Sequence, residues 1–167
     1  ASKWTFSISK ISLKNIRLRY DDEYGGISVT ALLRDLELKI DKIDIAKSIY
    51  SIDELLVESL NANVQMKKPA NADTAISTTA GNWKVIAKSI VLNDNSLTYL
   101  VNNNPEIKNT FDASHLKVSH INLEATNLFY SSVATEISIK KFSAMDQNQF
   151  SIAKFETEFS MDQHSIT

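Results

Sequence analysis

The sequence predicts an all-β fold of long antiparallel amphipathic strands built from repeats, and three observations predict it. Apolar and polar residues alternate along most of the chain, one residue pattern occurs three times, and breaks in the alternation fall at Asn and Asp. Alternation at 180° per residue places apolar groups on one face of a strand and polar groups on the other. Glycine and proline number only 3 and 2, against roughly 12 and 8 for an average chain of this length. The strands are therefore expected to turn and bulge at Asn and Asp, which tolerate positive φ better than other non-glycine residues. Asn15, Asn95, Asn102, Asn103, Asn104 and Asn127 sit where such features are useful.

The elements follow in order. Phe6 and Ile8 alternate with serines. Ile27, Val29 and Ala31 alternate with Ser28 and Thr30. Leu36, Leu38 and Ile40 alternate with Glu37, Lys39 and Asp41, and Ile43 and Ile45 follow after a slip of one residue. Leu60, Ala62, Val64 and Met66 form a further strand, as do Leu116 and Val118, with Ile121 and Leu123 after another slip. Ile137 and Ile139 mark the next, and Phe150, Ile152 and Phe155 the last. Each slip is read as a β-bulge, which adds one residue and bends the strand. Over 46–60 the spacing of Ile45, Ile49, Ile52, Leu56 and Leu60 also fits a period of 3.6, so strand and helix both stand there. Residues 67–82 are small, polar and without period, a linker or disordered loop between two halves. This divides the chain into a first β unit (1–66), the linker (67–82) and a second β unit with a partial third (83–167).

The halves match. Aligning Trp4 with Trp83 brings Ile11 onto Ile90, Leu13 onto Leu92, Leu18 onto Leu97 and Tyr20 onto Tyr99 without a gap. The pattern recurs at Ile121, Leu123, Leu128 and Tyr130. Leu13 and Leu18 would face opposite ways in a straight strand, so a bend between them restores one apolar face. Lys14-Asn15, Asp94-Asn95 and Thr126-Asn127 are placed to make it. Such repetition points to stacked supersecondary units.

Composition excludes several function classes. With 18 basic and 20 acidic residues the net charge is −2, so no basic surface for nucleic acid is implied. Cysteine is absent, which removes disulfides, thiolate metal sites and a cysteine nucleophile. The start, Ala1-Ser2-Lys3-Trp4, has neither initiator methionine nor signal pattern, so the chain is expected to be an interior piece of a longer protein. His115 and His120 fall on opposite faces of a straight strand and do not suit joint metal binding. Ser114 beside His115 is not read as a triad, since a triad needs geometry across elements and an orienting acid. Asp21-Asp22-Glu23 before Gly25-Gly26 reads as a solvated hairpin turn, since the ligand spacing of a calcium loop is missing. Trp4 and Trp83 are read as packing at the start of each unit. No catalytic residues, metal or cofactor are expected.

The run Ile11-Ser-Leu-Lys-Asn-Ile-Arg-Leu-Arg-Tyr-Asp21 resembles the recurring strand signature of the AsmA/TamB-like envelope proteins. Leu36-Glu-Leu-Lys-Ile-Asp-Lys-Ile-Asp-Ile45 resembles their following strand, and Ile90 to Tyr99 and Leu116 to Leu123 repeat both. The resemblance, closest to the TamB type, implies a curled, groove-like sheet (a β-taco) with an apolar interior. It also implies a periplasmic, envelope-spanning protein tethered to the inner membrane, phospholipid transfer between the two membranes, and a link to outer-membrane protein assembly. The partners expected are a phospholipid or other acyl-chain ligand, neighbouring repeats of the full-length protein and outer-membrane assembly proteins. The candidate groove residues are Leu36, Leu38 and Ile40 in the first unit and Leu116, Val118, Ile121 and Leu123 in the second. The alternative is a structural or protein-interaction β module with a filled core and no groove.

Overall fold

The computed structural model describes residues 8–67, 82–101, 104–107, 110 and 112–162. Seven strands form one sheet: β1 (Lys10–Asp22), β2 (Ile27–Asp44), β3 (Ile49–Met66), β4 (Lys84–Val101), β5 (His115–Tyr130), β6 (Ala134–Asp146) and β7 (Ser151–Asp162). They lie side by side in chain order, and the sheet does not close into a barrel. The longest strands have 18 residues, which at 3.2–3.4 Å per residue is about 60 Å. Among the described residues no second layer covers either face. None of the helices in the described residues is long and apolar enough to cross a membrane.

All neighbouring strands are antiparallel except β3 and β4, which run parallel from Ile49 opposite Lys84 to Met66 opposite Val101. This corrects the expectation of purely antiparallel pairing. β1 and β3 both oppose β2, so a second unit that restarts in the direction of β1 must join β3 in parallel. A parallel join needs a crossover connection of a dozen or more residues. The polar stretch assigned as a linker occupies that place in the chain, although 68–81 lie outside the described residues. So do Trp4, Phe6, Asn102 and Asn103.

The hairpins replace glycine with side chains that act as turn acceptors. Asp22 Oδ1 accepts from the backbone N–H groups of Tyr24 and Gly25 at 3.0 and 2.9 Å. A Cβ at Gly25 would stand 2.5 Å from the Asp22 carboxylate, so a larger residue there would displace the side chain that holds this turn. Asp44 Oδ1 accepts from Lys47 N at 3.1 Å, stopping β2 in a single 3-10 turn (Ile45–Lys47). Ile45 is therefore an exposed turn residue, not the strand residue the alternation suggested. Ser131 Oγ holds the β5–β6 turn by accepting from Ala134 N, and Asp146 Oδ1 holds the β6–β7 turn by accepting from Asn148 and Phe150. Asn and Asp favour such local bonds because a short polar side chain mimics a backbone carbonyl. Residues 49–66 are strand, which resolves the helix alternative over 46–60.

The strands bend at non-glycine residues with positive φ. Asn15, Asp94 and Asn127, each within a predicted bend pair, have φ of 53°, 51° and 57°. Asp94, not its neighbour Asn95, makes the second bend. In the third copy of the pattern the bend falls just before Leu128, two positions later than in the others. Ser59 and His120 add two more, each with φ 51°. The pairs that flank them place Asn15, Arg34, Ser59 and Asp94 at one level of the ladder, and a hydrogen bond joins Asp94 to His120. The bends at Asn15, Ser59, Asp94 and His120 thus lie along one transverse line on β1, β3, β4 and β5, and Asn127 lies off it, farther along β5.

Candidate functional site: the apolar face

Residues directly opposite on neighbouring strands share a face, so the register assembles the face row by row. One row is Leu13, Leu36, Val57, Leu92, Leu123, Phe142 and Phe155, apolar on every strand of the sheet. The next is Ile11, Leu38, Leu55, Ile90, Ala125, Ile139 and Thr157. Beyond the bend line, Leu18, Ala31, Ala62, Leu97 and Val118 make a third row. Tyr20, Val29, Val64, Tyr99 and Leu116 make a fourth. A positive φ residue offsets the alternation by one, and this keeps Ile11 and Leu13 on the same side as Leu18 and Tyr20.

All seven candidate residues lie on this face. Leu36, Leu38 and Ile40 stand on β2, and Leu116, Val118, Ile121 and Leu123 on β5. The two sets are not in contact with each other: β3 and β4 lie between them. The alternation did not single out the residues that join them, Val57, Leu55, Leu92 and Ile90. Nor did it mark the deepest part, where Ala87 and Ala125 are 1% and 2% exposed beneath Ile52, Leu55, Leu128 and Ile139. Small side chains there sit below larger flanking ones. Toward the ends of the sheet the same face opens: Leu18 is 53% exposed and Phe155 46%. Phe142 and Phe155 meet edge to face at 6.5 Å, a favourable aromatic geometry.

One polar residue belongs to the face. Asn95, 5% exposed, stands in the row of Ile16, Leu33, Leu60 and Ile121. Its Oδ1 accepts from Leu60 N at 2.8 Å and its Nδ2 donates to Val57 O at 3.4 Å. These bonds fill the gap that the Ser59 and Asp94 bends open in the parallel ladder.

The opposite face is laced by ion pairs between strands: Lys10 with Glu37, Lys14 with Asp35, Arg34 with Glu58, Lys39 with Glu54 and Lys88 with Asp53. Hydrogen bonds to Asp35, Glu54 and Asp53 raise Lys14, Lys39 and Lys88 respectively above the usual lysine range. Exposed pairs contribute little stability each, but they fix which side faces water. Leu32, Leu56, Ile86, Val91 and Phe129 interrupt this face near the middle of the sheet. Shallow hollows on the polar side, one between Arg17, Leu32, Arg34 and Asn61, are gaps among long side chains.

The polar candidates each have partners within the fold. Asp21 accepts from the Ser28 hydroxyl at 2.7 Å and from Arg19 at 2.6 Å, contacts that hold its carboxyl below the usual range. Asp22 is occupied by the hairpin. His115 Nδ1 meets Asp112 Oδ2 at 2.9 Å, and His120 Nδ1 meets Asp94 Oδ1 at 2.9 Å, so the two histidines serve different carboxylates. The Ser114 hydroxyl takes a bond from Asn104 Nδ2 at 3.2 Å, and Asp112 binds the Ser114 backbone N–H. Among the described residues no three His, Cys, Asp or Glu gather as a metal site. Trp83 packs edge to face on Tyr50 at 6.4 Å. No family pattern, curated protein or solved structure matches the chain.

Proposed function

We propose that this chain is a lipid-handling segment of an envelope-spanning protein, whose bent apolar face forms a groove for phospholipid acyl chains moving between inner and outer membranes. One observation carries the reading: one apolar row crosses all seven strands, others cross β1–β5 or β1–β6, and no second layer covers them among the described residues. An apolar sheet face exposed to water is unfavourable, and each acyl methylene that replaces water there contributes about 0.8 kcal/mol. The line of positive φ residues is consistent with the curl of a β-taco. The bends at Asn15 and Asp94, at matching positions of the first two copies of the pattern, support a repeated unit. Resemblance of Ile11–Asp21 to AsmA/TamB-like strands supports the periplasmic setting, the inner-membrane tether outside this sequence and the link to outer-membrane protein assembly. The reading invokes no catalysis and no cofactor.

Native mass spectrometry of gently purified protein tests it. Copurifying phospholipid is expected, reduced in Leu38→Asp and Val118→Asp variants. Protein that never carries lipid, together with full function of both variants in cells, would refute the groove. The alternative is a β module that docks partner proteins, supported by β1 and β7 as the outermost strands of the sheet among the described residues. It predicts that the apolar face takes up no hydrophobic dye.

A further inference from the structure

Four of the five tyrosines stand on the apolar face, and they mark its two margins. Tyr20 and Tyr99 share the row of Val29 and Val64. Tyr50 and Tyr130 flank Val85 in a row at the other end of the strands. Ile52 and Ala87, two residues from Tyr50 and Val85, tie that row to the face, since both belong to the cluster around Ile90 and Ala125. From Val85 to Tyr99 is about 46 Å of extended strand, less wherever β4 bends. A bilayer has a hydrocarbon core of about 30 Å, or about 40–45 Å with its interfacial regions. Tyrosine suits such a margin because its ring packs on carbon while its hydroxyl stays in a polar layer. None of the four hydroxyls makes a hydrogen bond among the described residues.

Charge distinguishes the margins. Lys84 adjoins Val85, and its backbone N–H donates to Ser48 O at 2.9 Å, which brings the turn that ends in Lys47 alongside. Lys47 and Lys84 are exposed, and neither ammonium has an ion pair among the described residues. Asp44, in the same turn, is engaged by Lys42 at 3.6 Å and by Lys47 N. Trp83, half exposed, packs on Tyr50. The Tyr20 margin instead adjoins the acidic hairpin Asp21-Asp22-Glu23, where Arg19 and Lys67 both act on Asp21.

We propose that the Tyr50–Tyr130 margin is a phospholipid head-group site, in which Lys47 and Lys84 attract the phosphate and the two tyrosine hydroxyls donate to phosphate or ester oxygens. This rests on the acyl-chain reading above and adds an orientation to it. The head group stays at the basic margin, beside Trp83, and the chains run from there over Ile52 and Ile90. Charge-assisted hydrogen bonds to phosphate supply the discrimination between a phospholipid and a plain hydrocarbon.

Fluorescence quenching of the full chain tests this. Trp4→Phe leaves Trp83 as the one tryptophan. Phosphatidylcholine is delivered from cyclodextrin with a nitroxide either on the choline or near the end of an acyl chain. The choline label is expected to quench Trp83 more strongly. Stronger quenching by the chain-end label, or lipid bound in native mass spectra without quenching by either label, would overturn the head-group site and leave the acyl-chain reading standing. No lipid in either assay would overturn both. Tyr50→Phe/Tyr130→Phe keeps the rings and should weaken phosphatidylcholine binding about tenfold while leaving a hydrophobic dye unaffected. Lys47→Glu/Lys84→Glu should weaken it similarly and remove its salt dependence. Tyr24→Phe, in the β1–β2 hairpin where Tyr24 is 77% exposed, should match wild type. Unchanged phosphatidylcholine binding in both double variants would overturn the proposal. So would flotation with intact vesicles by protein that carries no lipid away, which would make this margin a membrane-docking surface.

Discussion

The side chain of Asn95 takes the place of a missing ladder partner for Leu60: its Oδ1 accepts from Leu60 N at 2.8 Å where β3 and β4 part at the bend. Asn95 is 5% exposed, so water cannot readily replace it. A buried donor left unsatisfied costs about 1–3 kcal/mol. Asn95→Leu, which suits the apolar row but cannot accept, should lower unfolding free energy by about that amount, read from the urea midpoint. Asn95→Asp keeps the acceptor but loses the donor to Val57 and buries a charge facing its carbonyl, so at neutral pH it should destabilise at least as much as Asn95→Leu.

Ser59 tests the bend itself. It holds φ 51° in the middle of β3, and its side chain makes no hydrogen bond among the described residues. An L residue in the left-handed region costs about 1–2 kcal/mol, which glycine avoids. Ser59→Gly should therefore be neutral or stabilising by up to about 1 kcal/mol despite lying within a strand. Ser59→Val, favourable in ordinary strands, should destabilise by about 1–2 kcal/mol. Thermal melts of the pair check the order. Valine as the more stable variant would mean that this bend is absent.

Much of the bending was legible from spacing. Apolar residues three apart rather than two mark a change of phase, and Asn15 and Asn127 sit inside such breaks as residues that accept positive φ. The same signal was present at Val57 to Leu60 and Val118 to Ile121, but Ser59 and His120 are poor advertisements for a left-handed backbone. The parallel join was not legible. Parallel strands usually read as continuous apolar runs, whereas β3 and β4 still alternate over much of their length. The helical spacing over 46–60 arose because β3, in the middle of the sheet, bears apolar residues on both sides: Ile52 and Leu60 on one, Ile49 and Leu56 on the other. As for the site, the seven chosen residues share a face as alternation implied. The rows linking them needed the register, since no strand reveals its neighbours.

Asp112 governs the acid response of the β4–β5 connection. It accepts from Ile107 N and Ser114 N, each at 2.9 Å, and from His115. The Ile107 N–H is the largest cause that holds its carboxyl below the usual aspartate range, with Ser114 and His115 adding to it against burial. A carboxylate with a depressed folded pKa stabilises fully above its unfolded pKa, and the contribution is lost as pH falls through the folded value. The connection should stay anchored through the ordinary titration range of aspartate and loosen only in stronger acid. Amide exchange at Ile107 and Ser114 reads this directly. In Asp112→Asn, protection at both amides should be weaker at neutral pH and should no longer fall on acidification.

The two faces make a sharper prediction, because adjacent residues on one strand carry opposite expectations. Val118 and Lys117 are neighbours on β5, but Val118 lies in the row of Leu97 and Ala62, while Lys117 is exposed on the other side opposite Thr98. An aspartate at 118 puts a charge into a surface where an acyl chain or dye would otherwise lie against carbon, and an unpaired charge away from water is strongly unfavourable. At 117 the same change remains in solvent and should move stability by less than about 0.5 kcal/mol. In a fluorescence titration with a hydrophobic dye, Val118→Asp should weaken binding at least about tenfold, while Lys117→Asp should match wild type. Leu38→Asp should behave like Val118→Asp although three strand positions away, because rows of β3 and β4 side chains make the two residues parts of one surface. Equal dye binding by all three variants would mean that the apolar face is closed to ligands.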